Sequence, residues 1–408
     1  MAHNESSPMN LASAMQLRTR QAKKFEKLES SLQEVESSKV PLAQGKPKLN
    51  CWLQKLNIFR PFVKPVTNNE IVWLLDNTAF KTSRAGNWQA EFVAAVFERE
   101  DKQKLVDMVT AVAQAVGLTD DALERRTIEE RVLPFLWDVR PARTITAMQQ
   151  SLNLKLGPSN INGLSSNVMD ISNNEMGSLV RTSTKLGCGK GSITDMQTYY
   201  AGEDGWGIIS DDTIKVTMTS DPVGILRETF VNTPRPIDGM PELYAKIKSF
   251  LPQDTAWFYL SASPYNLYPF LKQFRKQHYP PGTLILRDSS WKTVAGLLSA
   301  LTLRTEEYKV DRMKKIHGWL PKKKMIVIGD STQSDPEAYG DMYRNSPNWI
   351  SLILIRKATK IAEIGIDEKN EPERFERAFK DVPRRLWHVF EDPAECLNIV
   401  KRTITEAQ

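Results

Sequence analysis

From residue 204 onward the chain alternates between short apolar runs and helical stretches, and no other feature constrains the fold as much. The runs are GWGII (205–209), AWFYL (256–260), GTLIL (282–286), KMIVIG (324–329) and WISLILI (349–355). Helical stretches at 239–250, 265–277, 306–318 and 336–345 separate them. Strand–helix alternation sustained over about 150 residues predicts an α/β domain, a parallel sheet with helices on both faces. In such sheets ligands bind beyond the carboxyl ends of the strands.

A chain of 408 residues exceeds one typical domain, so a second folded unit is expected upstream. Residues 1–68 read as an extension, with a charged helix over 11–36 and a Pro- and Lys-containing linker over 37–68. Its segment CWLQKLNIFRPFVKP mixes aromatics with bases, as interfacial membrane segments do. Residues 69–200 read as a mostly β accessory domain. IVWLLDNTAF and WQAEFVAAVFERE flank a turn at Arg84–Asn87, 101–136 is helical, and 141–200 is strand-like and punctuated by Gly, Asn and Ser. The α/β domain occupies 201–408. LGCGKGS (186–192) lacks the GxxxxGK[ST] spacing of a phosphate loop and reads as a Gly-rich turn.

Composition narrows the chemistry. Cys51, Cys188 and Cys396 are far apart and odd in number, which excludes a disulfide framework and fits a reducing compartment. The four His are scattered, with no HExxH spacing. No apolar run reaches the ~18–20 residues of a membrane-spanning helix, and MAHNESSPMN lacks the pattern of a signal peptide. A cytoplasmic protein is the expectation. The net charge of +6 favours anionic partners. Between residues 270 and 324 there are 13 Lys/Arg against 4 Asp/Glu, including Lys272-Arg275-Lys276 and Lys322-Lys323-Lys324. Such clusters suit an anionic bilayer and equally suit a solvated face. Of Trp291, Trp319 and Trp349, the last opens an apolar run and is assigned to the core.

The residues at the strand ends carry the chemistry. Ser210-Asp211-Asp212-Thr213 follows the first run, Ser261-Ala262-Ser263 the second, and Asp330, Ser331 and then Asp335 the fourth; Lys309 opens the helix before it. Carboxylates at converging strand ends suit Mg²⁺. A hydroxyl and an ammonium bind phosphate oxygens. One carboxylate can attack phosphorus, and a second can protonate the leaving group and activate water. Taken singly, each of these residues also reads as a helix cap or a turn former.

In this order the chain resembles the haloacid-dehalogenase-like (HAD) phosphatases. SDDTIKVT, TFVNTPRPIDGMPELY, WFYLSASPYNLYPFL, YPPGTLILRD, YKVDRMKKIHGWLPKKKMIVIGDSTQSDPEAYG and FKDVPRRLWHVFED are similar to the actin-patch-protein type of phosphatidate phosphatase. The resemblance runs from about 205 to 392, with weaker likeness upstream at VWLLDNTAF and NWQAEFVAAVF. It implies a HAD-like Rossmannoid catalytic domain that converts phosphatidate to diacylglycerol with Mg²⁺ through an aspartyl-phosphate. It further implies peripheral attachment to a membrane surface, cortical actin and endocytic partners, and no nucleic acid. By the resemblance, Asp211, Asp212 and Thr213 belong to the catalytic motif, and Ser261 and Lys309 bind the phosphoryl group. Asp211, Asp330 and Asp335 form the metal set, Asp330 as the metal-binding acid and Asp335 as the acid that supports it.

The first motif departs from the family pattern. Family members carry Asp-x-Asp-x-Thr, whereas Ser210 is followed directly by Asp211-Asp212-Thr213. Residues two apart share a face of an extended chain, so nucleophile and general acid need that spacing, and adjacent acids point apart. A two-residue deletion preserves parity and leaves two registers. Anchored on Thr213, Ile209 takes the nucleophile position and Asp211 the general-acid position. Anchored on Ser210, Asp211 is the nucleophile and Thr213 takes the acid position, an Asp-x-Thr arrangement resembling that of P-type ATPases. The readings left open are a slowed enzyme, a phospholipid-binding scaffold that has lost the chemistry, and a slip of six nucleotides at an exon boundary in the gene model. A phosphatase for soluble phosphomonoesters or phosphoproteins is the remaining alternative.

Overall fold

The computed structural model describes residues 63–81, 86–98, 106, 109–110, 112–113, 117, 122–187, 189–211, 214–215, 224, 226–288, 305–359 and 366–406. The helix read over 11–36 and most of CWLQKLNIFRPFVKP lie outside them, as do Trp291 and Cys51.

Six parallel strands form the sheet of the second half: β11 (Trp206–Asp211), β12 (Ala256–Pro264), β13 (Thr283–Arg287), β14 (Lys324–Asp330), β15 (Ile350–Arg356) and β16 (Trp387–Phe390). Their spatial order is β13-β12-β11-β14-β15-β16. The chain winds outward from β11 to β13, crosses back and winds out the other way, so the order reverses between β11 and β14. In a doubly wound sheet that reversal opens a crevice at the carboxyl ends.

Both faces of this sheet are covered, which is why its strands read as continuous apolar runs. Ile208, Ile326, Ile328 and Leu352 point to one side, where α2 (Met240–Phe250), α3 (Tyr268–His278) and α8 (Cys396–Glu406) pack. Ile209, Val327, Ile353 and Ile355 point to the other, against α4 (Thr305–Trp319), α5 (Asp335–Asn345) and α7 (Pro372–Ala378). The one-turn helix α6 (Ile366–Lys369) precedes α7. All five expected strands and all four expected helices are present within a few residues of their sequence bounds. Strand β16 and helices α6 to α8 are additions, because four residues of WHVF carry too little periodicity to declare a strand.

The first half is mostly β, as expected. Among the described residues ten strands run from β1 (Lys64–Pro65) to β10 (Asp195–Tyr200). The centre is an antiparallel group of β2 (Ile71–Leu74), β3 (Asn77–Lys81), β4 (Trp88–Glu98) and β8 (Leu164–Asp170). Lys64–Pro65, read as linker, pairs in parallel with Arg143–Thr144 and so belongs to the sheet. Helix α1 (Ala122–Leu136) supplies Ile128, Val132 and Phe135 to a core shared with the parallel sheet. Gly187 and Gly191 stand at φ 78° and 101° in the segment read as a Gly-rich turn.

Polar contacts join the halves. Asp76 accepts from Lys272 Nζ at 2.9 Å and lies 3.6 Å from an Arg275 nitrogen, and its own N–H donates to Tyr268 Oη at 2.7 Å. Tyr265 Oη donates to the Asn162 carbonyl at 2.6 Å, and Asn266 Nδ2 to that of Pro134 at 2.9 Å. Two of the three bases in the Lys272-Arg275-Lys276 cluster therefore face inward. In the second cluster Lys323 is buried and Lys322 pairs with Glu203. That cluster leads into β14, whose first residue is Lys324, at the end of the strand away from Asp330. Neither cluster forms the continuous basic face that the sequence allowed. Trp349 is buried, and its Nε1 donates to the Leu320 carbonyl at 3.0 Å. Trp319 stacks on Phe80 with ring centroids 5.6 Å apart.

Candidate active site

Parallel register brings the chemical residues together. Asp211 ends β11 opposite Leu260 of β12, and Ser210 lies opposite Ile328 of β14, two residues short of Asp330. Alternation then sorts the side chains. The Ser210 hydroxyl accepts from Tyr244 Oη of α2 at 2.6 Å, so Ser210 faces α2 and Asp211 faces the opposite side, where α4 lies.

On that side Lys309 of α4 lies with its Nζ 3.3 Å from Asp211 Oδ1 and in direct contact with Asp335 Oδ1. All three side chains are fully buried. Asp335, the first residue of α5, also accepts the Asp330 N–H through Oδ2 at 2.8 Å. Gly329 makes this approach possible: a Cβ there would stand 2.6 Å from Asp335 Oδ2. Asp330 Oδ1 accepts from the Thr332 N–H at 2.8 Å and from its hydroxyl at 2.6 Å. Burial pushes the Asp335 carboxyl up, against the pull of Lys309, and the Asp330 carboxylate adds to the rise.

Of the sequence-derived site residues, Asp211, Lys309, Asp330 and Asp335 form one connected group. Ser261 lies one residue beyond the strand partner of Asp211, half-buried, and its hydroxyl accepts the Ser263 N–H at 3.2 Å. Asp212 and Thr213 lie outside the described residues. Tyr244, Thr332, Lys369 and Arg374 were not singled out by the sequence. A hydroxyl two residues after a strand-end acid, as Thr332 is, was the one signal available for them.

Among the described residues no group of three or more His, Cys, Asp or Glu side chains converges to hold a metal ion. The Asp335 oxygens meet Lys309 and the Asp330 N–H, contacts that agree with the acid supporting Asp330 that the resemblance implies. Mg²⁺ is commonly held by one or two carboxylates together with water and substrate phosphate oxygens. Asp211 and Asp330, on adjacent strand ends, fit that donor set.

The fold and the site define an α/β protein with a buried lysine–aspartate cluster at the switch point of a parallel sheet. Residues 206–357 match the family "Phosphatidate phosphatase APP1, catalytic domain". The chain is similar to Phosphatidate phosphatase APP1 of Saccharomyces cerevisiae, with 34% identity over 162 residues, covering 38% of this chain and 27% of that protein. The match thus spans about a quarter of the yeast protein. Among solved structures, the alignment to a ferredoxin-NADP+ reductase from Plasmodium falciparum covers 80% of this chain and 99% of that chain at 9% identity, with a TM-score of 0.15.

Proposed function

We propose that the chain is a Mg²⁺-dependent HAD-type phosphatase of phosphatidate, with Asp211 as nucleophile and no carboxylate in the acid–base position. The contact between Asp211 and Lys309 carries this reading. An ammonium that neutralises a phosphoryl group has to sit beside the attacking carboxylate; of the two acids beside it, Asp335 is engaged by the Asp330 N–H and Asp211 ends the first strand of the parallel sheet. Of the two registers open to the shortened motif, this favours the one anchored on Ser210. Ile209, the nucleophile position of the other register, packs in the core with Phe258 and Val327.

In this reading Lys309 offsets charge on the phosphoryl oxygens, and Ser261 offers a hydroxyl to one of them. An Asp211 oxygen attacks phosphorus, the bond to the glycerolipid oxygen breaks, and an aspartyl-phosphate forms. In family members the Asp two residues on protonates the leaving oxygen. Here Thr213 stands at that spacing, so solvent water supplies the proton. A second water then attacks phosphorus, releases inorganic phosphate and restores Asp211. Working without the acid–base carboxylate slows turnover by about 10²–10⁴-fold. Mg²⁺, held by Asp211 and Asp330, would supply further neutralisation of the phosphoryl oxygens. Asp335 holds Lys309 in place.

The substrate surface would be an anionic bilayer, met from the water side; among the described residues no helix is long and apolar enough to cross a membrane. Cortical actin and endocytic partners belong to the same proposal and rest on the family resemblance alone.

The test compares phosphate release from phosphatidate micelles by the chain as written and by a version with Ile-Asp inserted after Asp211. The written chain should form a hydroxylamine-sensitive phosphoenzyme that Asp211→Asn abolishes, and should turn over about 10²–10⁴-fold more slowly. Neither phosphoenzyme nor turnover in the written chain, with turnover in the insertion variant, would make it a phospholipid-binding scaffold. Turnover indifferent to lipid surface concentration would point to a soluble phosphomonoester.

A further inference from the structure

Residues 331–334 join the end of β14 to the start of α5, so this loop sets the spacing between Asp330 and Asp335. It is held on two sides. On the inner side Thr332 donates twice to Asp330, and Asp330 donates to Asp335. On the outer side three successive carbonyls face two cations. Ser331 O accepts from Arg374 Nη1 at 2.6 Å, Thr332 O from Lys369 Nζ at 2.5 Å, and Gln333 O from Arg374 Nη2 at 2.5 Å.

Arg374 is fully committed. Its Nε and Nη2 each meet an oxygen of Glu337 on α5 at 2.8 Å, and Nη1 also donates to the Lys369 carbonyl at 2.9 Å. A guanidinium has five N–H donors in a fixed planar fork, and here five acceptors receive them. The fork ties the loop to the first turn of α5 and to the end of α6 at once. A lysine has three donors on a flexible stem and cannot reproduce that geometry. Both cations lie beyond residue 357, where the family match ends.

We propose that Arg374, assisted by Lys369, is a positioning residue for the metal-binding carboxylate Asp330. It touches no reacting atom. It fixes the loop backbone, the loop fixes Thr332, and Thr332 turns Asp330 so that its other oxygen faces the crevice beside Asp211. The inference rests on the reading of Asp330 as a metal ligand.

The test measures Mn²⁺ binding by the loss of the free-ion paramagnetic resonance signal, on the full chain without substrate. Arg374→Lys should weaken Mn²⁺ binding by about tenfold to a hundredfold, the range seen when outer partners of metal ligands are removed. Lys369→Met, which frees one carbonyl, should weaken it by a smaller factor and stands in if Arg374→Lys does not fold. Looser packing alone lowers the melting temperature without changing the affinity of molecules that stay folded, so both are recorded. A folded Arg374→Lys, or a folded Lys369→Met in its place, with wild-type Mn²⁺ affinity overturns the inference alone. A wild-type chain that binds no Mn²⁺ overturns the metal-site reading and the inference with it.

Discussion

Lys309 Nζ lies 3.3 Å from Asp211 Oδ1 where neither side chain touches solvent. With Asp335 on its other side, the ammonium is the buried cation between two carboxylates. Replacing it with a neutral side chain leaves uncompensated negative charge in the interior, which typically costs about 3–5 kcal/mol. Lys309→Met should therefore lower stability by that order, seen in urea unfolding, as well as abolish phosphoenzyme formation. A variant of wild-type stability would mean that the ammonium is not holding these carboxylates in place.

Asp76 plays the corresponding part between the two sheets. It is buried and accepts from Lys272 at 2.9 Å and from the Gln197 N–H at 2.9 Å. Asp76→Ala removes the anion while leaving Arg275, itself buried, without that counter-charge. The expected loss is about 3 kcal/mol or more, measured by scanning calorimetry. Because the contact joins both halves, the whole transition should move down; a split into two transitions would contradict this.

Lys323 gives a pH signature. Burial pushes its ammonium down from the ordinary lysine value of 10.5 to about 8, against the attraction of Asp254. Between those values the unfolded chain binds the proton that the folded chain has released, so stability rises with pH across this window. Below it the buried charge is a standing penalty. Lys323→Met should raise stability at pH 7 by about 1–3 kcal/mol, since each tenfold change in proton affinity is worth about 1.4 kcal/mol. The advantage should shrink as pH rises from about 8 to 10.5. A constant gain across that range would show that packing, not the proton, is responsible.

Two helical glycines make a contrast. A Cβ on Gly340 of α5 would stand 2.0 Å from the Ala378 carbonyl oxygen, whereas one on Gly318 of α4 meets nothing within 4 Å. Gly318→Ala should stabilise by about 0.5–1 kcal/mol through helix propensity. Gly340→Ala has to push α5 away from α7 and should destabilise by about 1–3 kcal/mol. Since α7 carries Arg374, its Mn²⁺ affinity should fall too. Equal effects at the two sites, read from melting curves, would refute the contact.

Much of the parallel sheet was legible because its strands are short apolar runs bounded by helices, and strand ends are where such sheets keep their chemistry. Asp211, Lys309, Asp330 and Asp335 could be named from spacing alone. The contacts among them could not, because the capture of Asp335 by Lys309 and a backbone N–H depends on how closely α5 approaches Gly329. The inward turn of Lys272 and Arg275 was equally hidden: a run of bases looks the same whether it meets solvent or a buried Asp76 that is 196 residues away from Lys272 in sequence. Arg374 gave no signal either, since three of its five partners are carbonyl oxygens, which any sequence supplies, and the other two belong to Glu337, 37 residues away.

Trp73 and Phe97 of the first sheet and Trp206, Phe230 and Tyr265 of the second half of the chain lie in one continuous apolar cluster. Tyr265 stacks on Phe97 with centroids 5.7 Å apart, only four residues after Ser261. The stretch that carries the family likeness is therefore not a part that can be lifted out and exchanged. The family match begins at residue 206, while the oil-like interior has no border there, and an excised 206–357 would present half of a torn core to water.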